Sequence, residues 1–223
     1  MSVFKLLRDV VTQEPYYVDS FSGQMYRRAV CTLAWPWHPY PGWVVVLGEY
    51  RHKPTTMGEA RHLQILSETE SQSPEELIRT VDRYLRQYHI PRVITPEEDK
   101  RVTLIDLEND KRRAEKKPYL RTESPINWQG KGEGLIPFYM ALLNARINDA
   151  KTLFFGHASN IPSAVQYIFN AKSDHLSTMP MIEYPPVCAL CWAIEAIDLN
   201  PMAEWGAGGS GMPSGFADQV GGY

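Results

Sequence analysis

Cysteine is scarce in this chain: Cys31, Cys188 and Cys191 are the only three in 223 residues, and they are unevenly placed. That is too few for a disulfide framework and fits a reducing compartment. No apolar run is long enough to span a bilayer, and no charged start followed by an apolar stretch and a small-residue cleavage site marks a leader. The expectation is a soluble protein with no membrane partner, kept in cytosol. An excess of one charge is missing too, since 23 Lys and Arg against 26 Asp and Glu leave a formal net charge of −3. This excludes the global field of a nucleic-acid-coating protein and leaves local DNA contact open. No nucleophile elbow and no internal repeat is present.

What is there is a chain rich in aromatics, at 11%, with six Trp. Its length suits one domain with short appendages. Residues 3–11, "VFKLLRDVV", carry apolar side chains at helical spacing behind Ser2, so 1–26 is expected to be an N-terminal helix and arm. Three stretches, 27–37, 42–51 and 61–70, read as an antiparallel meander, the middle one Val-rich enough to be buried on both faces. A helix follows, with Ser73 as N-cap, Pro74 at its first position and Glu76 closing a capping box. Leu77, Val81, Tyr84, Leu85 and Tyr88 form its apolar stripe, and Pro91 enforces the stop. Further strands are expected at "PRVIT", "PYLRTE" and "TLFFG". A solvated helix and loop occupies 96–117, and helices follow at 135–146, after 159 and at the end. Residues 203–223 hold seven glycines in twenty-one. They cannot bury enough surface to offset their ordering entropy, so this tail stays loose or docks on a neighbour.

The stretch "YPPVCALCWAIEAIDLNP" (184–201) sets two cysteines three apart in a helix apolar nearly all round. Zinc needs two more ligands, and the nearest candidates, His157 and His175, match no standard spacing. A redox pair needs its first thiol exposed at a helix N-terminus, and Pro185 and Pro186 put Cys188 near one among apolar flanks. The third reading is a buried structural helix in which Cys acts as a small apolar residue. "GKGEG" at 130–134 reads as a flexible turn, lacking Walker spacing though able to offer amides to a phosphate. Trp35, Trp37, Tyr40 and Trp43, interleaved with prolines, suit a partner-binding surface, as does Tyr223 in the tail.

Taken together, "LRTESPINWQGKGEGLIPFYMALLNARINDAKTLFFG" and "CALCWAIEA" resemble the nuclease domain of phage terminase large subunits. The first is similar to that family's strand, Lys-Gly turn, helix, Arg and short strand, and the second to its final helix; with the meander, the likeness runs from about residue 27 to 199. The resemblance implies an α/β fold of the ribonuclease H-like kind. This is a mixed sheet, a three-strand antiparallel meander plus parallel strands, covered by helices on both faces and spanning 27–202. It also implies carboxylates from separate strands and a late helix holding two Mg²⁺ or Mn²⁺ ions about 4 Å apart. The matching positions carry none: Ala34 and Trp35 end the first strand, Thr95 and Pro96 follow the fourth, and Cys188 stands on the last helix. A thiol is a poor Mg²⁺ ligand. The reading is therefore a degenerate nuclease without metal or other cofactor. It acts as a binding or structural component of packaging or virion assembly, in host cytoplasm or in the virion, through protein partners or self-assembly. Two alternatives stand. One is an active metal-dependent DNA nuclease that recruits Asp19, Glu49, Glu98, Asp99 and Glu195. The other is a virion structural protein whose tail docks on neighbouring subunits.

Overall fold

The computed structural model describes residues 4–11, 13–51, 62–97, 101–128, 135–149, 151–155, 159–170 and 184–199. Among the described residues eight strands make one mixed sheet. β1 (Phe4–Arg8), β2 (Pro15–Asp19), β3 (Met25–Ala34), β4 (Gly42–Tyr50) and β5 (Leu63–Ser71) are successive antiparallel neighbours. β6 (Val93–Ile94) pairs parallel to the C-terminal half of β3, and β7 (Thr122–Glu123) parallel to β6. β8 (Leu153–Phe154) adds in parallel beyond β5. The central order is thus β8-β5-β4-β3-β6-β7, with the β1–β2 hairpin on the start of β3.

The period-two alternation of β3 sends its side chains into two cores. Val30 and Ala34 join one core, and Cys31, Leu33 and Trp35 the other. β4 is buried on both faces, as its Val run requires. At its ends the backbone packs so closely that a Cβ on Gly42 would stand 2.7 Å from the backbone nitrogen of Pro36. One core is closed by α1 (Pro74–Gln87), whose stripe Leu77, Val81, Tyr84 and Leu85 is buried. α2 (Val102–Ala114) lies beside α1 and inserts Ile105. The opposite core is closed by α3 (Ile136–Asn144), α4 (Ile161–Asn170) and α5 (Pro185–Leu199). α5 is apolar all round because it is buried all round. Each of Val187, Leu190, Ile194 and Ile197 contributes about 1.5–3 kcal/mol by leaving water.

The N-terminal segment departs from expectation. Residues 4–8 are an edge strand, not a helix, and they belong to the same sheet as β3. Pairing with β2 overrides a helical spacing too short to nucleate alone. The Ser73 cap is as expected, its hydroxyl accepting from the Glu76 N–H at 3.2 Å. The reciprocal half of the box is rearranged: Ser71 Oγ takes the Ser73 N–H and donates to Glu76. Residues 96–117 do contain a helix, yet Arg112 there is buried and paired with Asp82 and Glu108. The tail 203–223 and the "GKGEG" turn lie outside the described residues.

Candidate functional site

The volume bounded by β3, β6 and α5 is where the expected metal-binding acids would converge. β3 turns Val30, Thr32 and Ala34 toward α5, β6 turns Ile94, and α5 answers with Cys188, Ala189, Cys191 and Trp192. Thr32 is the polar exception, and its hydroxyl is spent on α5, donating to the Ala189 carbonyl at 2.8 Å. Ala34, Ile94 and Cys188 share one continuous core, so the end of β3, β6 and α5 meet there. They meet through methyl, methylene and thiol groups.

Trp35 points to the opposite core against α1, so of the two positions read at the end of the first strand only Ala34 faces α5. Thr95 and Pro96 are buried just past β6, with the Thr95 N–H donating to the Glu123 carbonyl. The Thr95 hydroxyl and the indole N–H groups of Trp128 and Trp192 have no hydrogen-bond partner among the described residues. Trp192 lines a cleft at the carboxyl ends of β6 and β7, together with Ile94, Glu123, Pro125 and others. Its volume of about 10 Å³ is room for one water. Burial raises the Glu123 carboxyl above the ordinary carboxylate value, with Arg92 acting in the opposite sense and Glu97 adding to the rise.

Of the five alternative acids, the three among the described residues, Asp19, Glu49 and Glu195, do not assemble into a metal site. Asp19 closes the turn after β2, accepting from the Phe21 N–H at 3.1 Å and the Ser22 hydroxyl at 2.7 Å. It acts on Tyr26 and Tyr88, in the core away from α5. Glu49 is buried opposite Arg28 on β3 and accepts its Nε–H at 2.5 Å. Arg28 also donates to the Ile197 carbonyl at 2.5 Å, so the pair anchors the negative end of α5. Glu195 is buried, accepting from Asn127 Nδ2 and from the Tyr139 hydroxyl at 3.3 Å. Burial pushes its carboxyl up against the lowering effect of those two donors. Glu98 and Asp99 lie outside the described residues. No group of three or more His, Cys, Asp or Glu among the described residues is placed to hold a metal ion.

Burial raises both α5 thiols well above their ordinary value. A thiol so held stays protonated at neutral pH and is a poor nucleophile. His157 and His175 lie outside the described residues.

The aromatic surface is smaller than the sequence implied. Trp35 and Trp43 are core residues, on opposite faces of the sheet. Trp37 and Tyr40 bridge each other across the turn, and Tyr40, 43% exposed, stacks on Tyr184 at the head of α5. Tyr223 is outside the described residues. The polar positions that periodicity does not reveal are Arg28, Asn127, Tyr139 and Arg146. Arg146, in a π turn continuing α3 (145–149), binds Asp198 and the Thr152 hydroxyl. Arg28 had a readable signal, since a meander register pairing Ala34 with Trp43 also sets Arg28 against Glu49, and Arg146 is the Arg that follows the helix in the stretch quoted above. Among the described residues no helix is long and apolar enough to cross a membrane. No family model, no curated protein and no solved structure matches this chain.

Proposed function

We propose that the chain is a catalytically degenerate, terminase-nuclease-like phage protein, a binding or structural component of packaging or virion assembly. Its site of action would be host cytoplasm or the virion. The observation that carries this reading is the packing between β3, β6 and α5. Where a two-metal nuclease gathers hard oxygen ligands, Ala34, Ile94 and Cys188 fill the space and Thr32 is bound to a helix carbonyl. The ribonuclease H-like reading is supported by the element order. The antiparallel β3-β4-β5 meander is followed by α1 and then by β6, parallel to β3. α2 leads on to β7, parallel to β6, and helices cover both faces. Glu49 and Glu195 are each held by protein partners, which favours structural roles for both.

Incubation of purified protein with plasmid and Mn²⁺ or Mg²⁺ tests the reading. The expected result is no cleavage above a no-protein control. Cleavage that Glu49→Gln or Glu195→Gln abolishes, in variants with native circular dichroism, would replace it by the metal-dependent nuclease. A protein partner of the tail is tested by deleting 203–223: loss of self- or partner-association is expected, and unchanged association removes the tail from the proposal.

A further inference from the structure

We infer that the outer edge of β1 pairs antiparallel with β1 of a second copy of this chain, about a two-fold axis at Leu7. This gives the assembly reading above a surface and rests on that reading only in treating the chain as an assembly component.

Among the described residues β1 is the longest of the strands that end the sheet; β7 and β8, at its other ends, have two residues each. Exposed apolar side chains gather around it: Leu6, Leu7, Val10, Val11, Phe21 and Met25 all lie between residues 6 and 25. An open edge with exposed leucines is a template for another strand.

The hydrogen-bond phase of that edge follows from the hairpin. The Asp9 N–H donates to Glu14 and its carbonyl accepts from Gln13, so Asp9 turns its backbone groups toward β2. Alternation then turns those of Leu7 and Lys5 inward and those of Phe4, Leu6 and Arg8 outward. Pro15 opposite Arg8 agrees, because it has no N–H to offer. A two-fold antiparallel pairing must match outward residues with outward residues, which leaves five registers, centred on residues 4 to 8. One sets Lys5 against Lys5 of the second copy and another sets Arg8 against Arg8, both repulsive. Two more, centred on Phe4 and on Leu6, need the Phe4 carbonyl, which His89 Nε2 occupies at 3.1 Å.

The fifth, centred on Leu7, is free of conflict. Leu6 exchanges backbone hydrogen bonds with Arg8 of the second copy, Leu7 meets Leu7, and Lys5 meets Asp9 twice over. Asp9 is one-quarter exposed and already bound to Arg51, so Lys5 would approach a carboxylate fixed in place.

Cysteine cross-linking reads the register directly, since Cys31, Cys188 and Cys191 are buried and do not compete. Under mild oxidation Leu7→Cys should form a covalent dimer, its Cα atoms being about 4.5 Å from their symmetry mates, while Leu6→Cys should not. In sedimentation equilibrium the wild type should dimerise. Lys5→Glu should raise the dissociation constant about tenfold, and Leu7→Asp should abolish the dimer. A wild type monomeric at all concentrations with no Leu7→Cys cross-link, a Leu6→Cys cross-link of equal yield, or a dimer indifferent to both substitutions would each overturn the inference. None of these outcomes touches the metal-dependent cleavage assay, so the surface and the functional reading fail separately.

Discussion

Glu195 is an acid kept in a place built for neutral groups. Burial raises its carboxyl above the ordinary 4.5, so the folded chain protonates it more readily than the unfolded chain does. Its contribution to stability is therefore full below about pH 4.5 and is lost as pH rises through the raised folded value. Glu195→Gln removes that loss. In urea denaturation of both proteins, the stability of the variant relative to wild type should increase from about pH 4 to about pH 8. Arg28 presents the reverse problem: Arg28→Ala strands Glu49 in the core and should cost about 3–5 kcal/mol by urea titration, whereas Arg28→Met with Glu49→Leu should restore most of it. Iodoacetamide should leave Cys188 and Cys191 unlabelled until the protein unfolds, as their raised thiol values demand. The burial of Cys188 was legible because every residue around it is apolar. That of Trp35 and Trp43 was not, because prolines beside an aromatic look alike in a surface turn and at the end of a core strand.

At the scale of elements, α1 was the most readable, its cap, proline and stripe all pointing one way. Its far end was not readable. His89 takes the left-handed conformation after the helix, with φ 52°, a place that glycine usually fills. The Ile90 N–H closes on the Leu85 carbonyl while the His89 ring donates to Phe4 on β1. The imidazole bond couples the helix end to the edge strand, which explains a non-glycine residue there. His89→Ala keeps the strain and loses the bond, so it should destabilise the fold by about 1 kcal/mol in thermal or urea melts. His89→Gly, relieved of the strain, should cost less than His89→Ala. The misreading of β1 has the same origin. Nothing within nine residues says that Phe4 belongs under Tyr88, 4.6 Å between ring centroids, rather than on a helix of its own.

For the molecule as a whole, the meander and the alternation of strands and helices were visible because each is written in local periodicity. The pairing of β6 with β3 and the closing of both sheet faces depend on contacts far apart in sequence. The polar ties between layers are likewise distant: Thr32 to Ala189, Glu68 to the Ser159 hydroxyl and the Asn160 N–H at the head of α4, and Arg146 to Asp198. Hydrogen exchange should follow this layout, slowest in β3, β4 and α5 and fastest in β1 and β8 in the monomer.

The C-terminal end of α5 is tied twice, Ile197 through Arg28 to the central strands and Asp198 through Arg146 to the residue before β8. A pull on the residues that follow Leu199 would thus be shared by two guanidinium links, one leading to the middle of the sheet and one to its β8 edge, and the last turn of the helix would not peel away first. Mechanically, the point where the tail departs is a fixed mooring.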